Sequence, residues 1–176
     1  VKLYDDVFTN LNLDVTIRIN NRKILAGIAE VFGMNDRFVD FTIALDKLDK
    51  VGVEGVVAEM QRRAFDDNSC DGVRSLLNKK NSASEILEEL KVLLASSDEG
   101  KEGLNELDFV LENVKNLGLK TATIQFDMTL ARGLNYYTGA IFEVAANNVA
   151  IGSIGGGGRY DDLTGVFGLQ NMSGIG

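Results

Sequence analysis

Two short stretches of this sequence hold the residue types that could do chemistry. Ala131-Arg132-Gly133-Leu134-Asn135-Tyr136-Tyr137-Thr138-Gly139 sets a guanidinium and two phenols among small residues. Gly155-Gly156-Gly157-Gly158-Arg159-Tyr160-Asp161-Asp162-Leu163 sets bare backbone beside a third phenol. A guanidinium can bridge two anionic oxygens and stabilise charge that develops between them. A phenol can donate or accept a hydrogen bond. Four glycines in a row leave room for a second backbone, a flat ligand or a tight turn. They are not a phosphate loop, because no Lys-Ser or Lys-Thr follows and the G-x-G-x-x-G spacing is absent. A lone Arg at a strand end also suits a structural ion pair, so the role of Arg132 stays open on these residues alone. Tyr136 and Tyr137, adjacent on a strand, would point to opposite faces, leaving one for any given pocket. Glu143, Asp127, Asp161 and Asp162 could bind a metal or accept from a ligand, but read more readily as caps and surface groups.

The rest of the composition narrows the chemistry further. The 176 residues include no histidine, which removes Ser-His-Asp and Cys-His nucleophiles and HExxH zinc sites. The single cysteine, Cys70, has no partner for a disulfide or a metal cluster and reads as inert, as in a reducing cytoplasm. No metal-ligand set is identified. With 26 acidic against 18 basic residues the net charge is −8, opposite to a general nucleic-acid footprint, so any such contact must be local. No apolar run approaches the roughly 20 residues that cross a bilayer, and the first residues lack the basic-then-apolar order of a signal peptide, so a soluble cytoplasmic protein is expected. The chain opens on Val1 and stops at Gly174-Ile175-Gly176, which reads as an internal piece of a longer protein.

The elements that must position these residues follow from periodicity. Leu3, Val7 and Leu11 predict a short amphipathic helix. Alternation of Leu13, Val15, Ile17 and Ile19 with polar residues predicts a strand with one buried face. Asn20 and Asn21 then offer an N-cap to a helix striped by Ile24, Leu25, Ile28 and Val31 and closed by Gly33. A helix from Asn35 or Asp36 carries Phe38, Val39, Ile43 and Leu45 inward. Residues 51–118 read as helices only, with Ser82 to Glu85 as a capping box and the last helix ending at Gly118. This segment holds 14 acidic against 8 basic residues, a solvated helical surface on which Arg62, Arg63, Lys79 and Lys80 could form a local basic patch. After Lys120, Ala122, Ile124, Phe126 and Met128 alternate, and Ala140–Ala146 and Val149–Ile154 flank a two-residue turn at Asn147-Asn148. The expected class is α+β: a partly antiparallel sheet from residues 1–50 and 119–176, interrupted by an all-helical insertion at 51–118.

Arg132-Gly133-Leu134-Asn135-Tyr136-Tyr137-Thr138-Gly139 followed by Gly156-Gly157-Gly158-Arg159-Tyr160-Asp161-Asp162-Leu163 resembles the histidine-specific signature of the histidyl-tRNA synthetases, a class II family. Ile19-Asn20-Asn21-Arg22-Lys23-Ile24-Leu25 and Ala44-Leu45-Asp46-Lys47-Leu48-Asp49-Lys50 are similar to stretches of the same family in the same order. The resemblance covers almost the whole chain, and residues 51–118 resemble the family's insertion domain near the tRNA acceptor stem.

The resemblance implies activation of histidine with ATP and Mg²⁺ and transfer of the histidyl group to tRNA(His), by a cytoplasmic homodimer. It assigns Arg132 to catalysis and to ATP, and Tyr136, Tyr137, Gly156, Gly157 and Tyr160 to histidine. A substrate carboxylate is already ionised at neutral pH, so a site without histidine side chains lacks nothing essential. Asn135 departs from the family's usual Asp and puts an ion pair there in doubt. The family's first two class motifs and its anticodon-binding domain are expected outside this chain. Ser173-Gly174-Ile175-Gly176 resembles the opening of the third motif, so the chain alone is expected not to aminoacylate. The alternative is a non-catalytic relative such as the regulatory subunit of ATP phosphoribosyltransferase. Such relatives typically lack the insertion and tend to lose the Arg-Gly-Leu-x-Tyr-Tyr signature.

Overall fold

The computed structural model describes residues 1–79, 81–131, 136–149 and 151–176. In chain order its main elements are α1 (Lys2–Asn10), β1 (Val15–Asn21), α2 (Arg22–Val31), α3 (Phe38–Leu45), α4 (Leu48–Arg62), α5 (Asp67–Leu77), α6 (Ala83–Leu93), α7 (Asp98–Leu117), β2 (Thr123–Phe126), β3 (Ala140–Ala146), β4 (Ser153–Tyr160), α8 (Leu163–Val166) and β5 (Gly174–Ile175). They form two compact units, one of Val1–Arg22 with Gly103–Gly176 and one of Lys23–Glu102.

The unit of residues 23–102 is helical. Ile24, Leu25 and Ile28 of α2 are buried together with Phe41, Leu45, Val56, Val57, Met60, Val73, Leu90 and Leu94. Gly33 closes α2 at φ 71°, a left-handed conformation that costs glycine little, while the Met34 N–H returns to the Ala29 carbonyl. The expected capping box forms: the Ser82 N–H donates to the Glu85 carboxylate at 2.8 Å. Two expectations are corrected. On α3 the inward residues are Phe41, Ala44 and Leu45, whereas Val39 and Ile43 are exposed, because a leading 3-10 turn at Asn35–Arg37 sets the phase of the helix. The basic patch is neutralised by carboxylates. Arg63 pairs with Asp40 and Glu59, Arg62 with Glu59, and Lys79 with Glu89, while Lys80 lies outside the described residues. The Lys47 ammonium and then the Arg63 guanidinium hold the Glu59 carboxyl well below its usual range. Cys70 is buried, and burial pushes its thiol pKa up, the inert direction.

The other unit carries a five-stranded sheet in the order β2-β1-β3-β4-β5. β1 and β2 run parallel, and every other neighbouring pair is antiparallel. The predicted alternation holds in β1, where Val15, Ile17 and Ile19 are buried. Val15, Ile17 and Val144 form a core against which Tyr4 and Phe8 of α1 and Phe142 of β3 pack. The stripe Leu3, Val7 and Leu11 instead faces out, because the two rings of α1 bury more apolar area than the aliphatic side chains would. Asp5 is fully buried on the inner face of α1. Its carboxylate accepts from the backbone N–H groups of Lys120, Thr121 and Ala122 at 2.8, 3.1 and 3.0 Å and from the Lys2 ammonium at 2.8 Å. This single side chain ties the first helix to the segment that enters β2.

Asn20 and Asn21 belong to β1 and are not N-caps. The side-chain amide of Asn20 donates to the Met128 and Leu130 carbonyls, and that of Asn21 donates to Glu106. β3 and β4 are neighbours as expected, but β4 begins at Ser153, so the connection spans residues 147–152. Asn147 cannot make a two-residue turn because it is tied to the edge of β1: its N–H donates to the Asp14 carbonyl and its side-chain oxygen accepts from Thr16.

Candidate functional site

The glycine run is not a turn: it lies inside β4, alongside β3, with Glu143 opposite Gly156, Phe142 opposite Gly157 and Ile141 opposite Gly158. Three of the four glycines make room for the protein itself. A methyl on Gly155 would stand 2.8 Å from the Tyr4 ring, and one on Gly158 would stand 2.8 Å from both the Ala140 carbonyl and the Tyr137 ring. One on Gly157 would collide with the Gly176 carbonyl and approach the Phe142 ring at 2.9 Å. Gly156 differs. Only the Phe142 carbonyl at 3.1 Å and the Glu143 backbone at 3.8 Å lie near its missing side chain, and the remaining space is open. The Tyr4 hydroxyl donates to the Gly156 carbonyl at 3.2 Å, which fixes this rung.

The open space belongs to a cavity of about 360 Å³ lined by Leu130, Tyr137, Phe142, Glu143, Ser153, Gly155, Gly156 and Gly157. This volume lies in the range of sites that hold small molecules, about 300–1,000 Å³. Glu143 is only 9% exposed and lines the cavity, so it is neither cap nor surface group. The signal was present in the sequence as one carboxylate between Phe142 and Val144 in an otherwise apolar strand.

Tyr136 and Tyr137 precede β3 and lie outside any strand, so the alternation expected of them does not apply. Their rings meet edge to face at 4.7 Å, and Tyr136 also meets Tyr160 edge to face at 6.2 Å. The structure thus gathers all three candidate tyrosines at one end of β3 and β4. Burial, then the Tyr136 hydroxyl, pushes the Tyr137 phenol up to about 12, so it stays protonated through the physiological range. Thr138 braces the cluster: its N–H donates to the Arg159 carbonyl at 2.8 Å and its hydroxyl to Asp161 at 2.5 Å. The Ser173 and Thr138 hydroxyls and then Arg159 hold the Asp161 carboxyl below its usual range. Asp127 caps a turn as expected, accepting from the N–H and hydroxyl of Thr129 at 2.9 and 2.6 Å. Arg132 and Asn135 lie outside the described residues, immediately after the buried pair Leu130 and Ala131.

The family model for histidyl-tRNA synthetase matches residues 1–176. The chain belongs to the histidyl-tRNA synthetase family. It is 59% identical to a histidine–tRNA ligase of Flavobacterium johnsoniae and 54% identical to one of Christiangramia forsetii; the alignments cover all of this chain and 38% and 39% of those relatives. The chain therefore spans well under half the length of the curated relatives it matches. Among solved structures it is similar to the histidyl-tRNA synthetase of Nostoc sp. PCC 7120, with a TM-score of 0.88 and 31% identity over 98% of this chain and 42% of that one. A protein of Bacillus halodurans C described as an ATP phosphoribosyltransferase regulatory subunit/histidyl-tRNA synthetase shares the fold, with a TM-score of 0.78 at 21% identity over 98% of this chain and 44% of that one. The mixed α/β architecture of this synthetase-family chain is thus seen in both the structure and its relatives.

Proposed function

We propose that the protein carrying this chain is a histidine–tRNA ligase and that this chain supplies the wall of its histidine site. The observation that carries the reading is the cavity at Gly156, where bare backbone meets a protonated phenol at Tyr137 and a buried carboxylate at Glu143. A neutral imidazole has one ring N–H and one ring acceptor, and a phenol can satisfy either. In this reading Tyr136, Tyr137 and Tyr160 recognise the ring, and the open side of Gly156 lets the substrate approach the sheet, with Gly157 beside it in the cavity wall. The substrate carboxylate attacks the α-phosphorus of ATP, pyrophosphate leaves, and a tRNA hydroxyl then displaces AMP from the acyl carbon. Arg132 acts on the first step by bridging the two anions, an electrostatic contribution typical of such donors.

Mg²⁺ comes to this reading from the family. Among the described residues no group of three carboxylate, cysteine or histidine side chains could hold a metal ion. Residues 51–118 serve in this reading as the helical insertion near the tRNA acceptor stem, between the core segments 1–50 and 119–176. A homodimer in the cytoplasm completes it. Among the described residues no helix is long and apolar enough to cross a membrane.

Histidine-dependent exchange between ATP and pyrophosphate by the full-length protein, tested with all twenty amino acids, checks the proposal. Exchange with histidine alone is the expected result. Histidine binding without exchange supports the regulatory-subunit alternative instead. Tyr137→Phe and Tyr160→Phe are each expected to weaken histidine binding by about 1–3 kcal/mol, the cost of leaving a buried polar partner unmatched. An unchanged Michaelis constant for histidine in both variants removes the phenols from the site.

A further inference from the structure

Asn20 is a fully buried amide whose local role the helix-cap expectation did not capture. The parallel ladder between β1 and β2 pairs residues as far as Ile19 and Phe126, and the Asp127 N–H adds one more bond to the Ile19 carbonyl at 3.0 Å. Beyond that point the second strand leaves the ladder. The Asn20 side chain takes over, donating to the Met128 carbonyl at 3.1 Å and the Leu130 carbonyl at 3.0 Å. Two donors on one nitrogen thus hold alternate carbonyls of a segment that has no strand partner. The Asp127 carboxylate holds the start of the same segment through Thr129.

Two features separate this arrangement from ordinary core packing. Leu130 lines the cavity, and Arg132 follows two residues later in the chain. The Asn20 side-chain oxygen, moreover, is buried with no hydrogen-bond partner among the described residues. An unmatched buried acceptor lowers stability, so the amide is a poor choice for the core on its own account and is explained by the two carbonyls its nitrogen secures. Polar groups that break packing rules in this way concentrate at functional sites.

We propose that Asn20 is a positioning residue for the amino-acid site, holding the Met128–Ala131 segment so that Leu130 keeps its place in the cavity wall. The proposal rests on the histidine-ligase reading. Asn20 lies on β1, outside the Arg132 and Gly156 motifs, and bears on the site through the Met128 and Leu130 carbonyls. In the same reading Arg132, the residue that follows this segment in the chain, acts on the transition state, so loss of Asn20 should reduce turnover more than binding.

The test uses the full-length protein with Asn20→Ala and with Asn20→Ser, which keeps a hydroxyl donor on a shorter side chain. Histidine-dependent exchange is measured per folded molecule, together with the melting temperature and the Michaelis constant for histidine. The expected result is a fall in kcat of tenfold or more for Asn20→Ala, larger than the rise in KM, with part of the rate recovered in Asn20→Ser. A purely structural role would lower the melting temperature and leave kcat per folded molecule within twofold of the wild type, and that result overturns the proposal. If Asn20→Ala does not fold, the same comparison with Asn20→Ser decides: kcat within twofold of wild type overturns the role, and a fall beyond that supports it. Absence of exchange in the wild type overturns the ligase reading and this role together, whereas equal rates in wild type and variant overturn the role alone.

Discussion

Replacing Asp5 with Ala lowers the stability of the protein by about 3–5 kcal/mol, the scale expected when one partner of a buried charged network is removed. The substitution takes away the common acceptor of three backbone N–H groups and one ammonium. It also releases α1 from the segment that enters β2, so the loss reaches beyond one contact. Burial by itself would raise the Asp5 pKa, but Lys2 and the amides of Ala122, Lys120 and Thr121 outweigh it and hold the carboxyl far below its ordinary value of 3.8. The folded state therefore binds the proton more weakly than the unfolded state. The stabilisation is fully present above the unfolded value and is lost as the pH falls through 3.8 toward the depressed folded value. Urea unfolding of wild type and Asp5→Asn between pH 3 and 7 checks this. The expected difference is largest near neutrality and narrows at the acid end, and a pH-independent difference would contradict the electrostatic account.

Asp5 also shows where sequence reading stops. An acidic residue in the first turn of a helix looks like a favourable interaction with the helix dipole, and nothing in the sequence connects it to residues 120–122. The strand β1, the glycine-terminated α2 and the Ser82 capping box were legible because each depends on neighbours within a few positions. The same holds for the motifs around Tyr137 and Gly156, whose residue types and spacing carry the family resemblance. What the residues alone could not provide was phase and partnership. Leu3, Val7 and Leu11 share one face of α1, but the choice between that face and the one bearing Tyr4, Asp5 and Phe8 is made by the sheet. Tyr136 and Tyr137 sit before β3 and not in a strand, which changes diverging side chains into a packed cluster with Tyr160. Glu143 became a cavity residue only when β4 supplied Gly156 opposite it.

That pairing of Glu143 and Gly156 leads to the most discriminating substitution in the site. Gly156→Val is expected to reduce histidine affinity by 100-fold or more, about 2.7 kcal/mol, by filling the floor of a 360 Å³ cavity. Its effect on folding should be small by comparison. The new Cβ would meet the Phe142 carbonyl at 3.1 Å and the Glu143 backbone at 3.8 Å, which asks for a shift of a few tenths of an ångström; the γ-methyls extend beyond it, and valine is at ease in a strand. Gly158→Ala provides the contrast. Its methyl would lie 2.8 Å from both a backbone carbonyl and the Tyr137 ring, so the strand or the tyrosine cluster must move and stability falls with binding. Calorimetric titration with histidine and thermal unfolding of both variants in the full-length protein separate the two effects. A Gly156→Val protein that binds histidine within threefold of wild type would place the substrate away from this strand and undo the proposed site, even if histidine-dependent exchange were intact. Loss of binding with an unchanged melting temperature would instead show that the bare backbone at Gly156 is kept open for the ligand, while the glycines at 155, 157 and 158 are there to accommodate the protein's own rings and backbone.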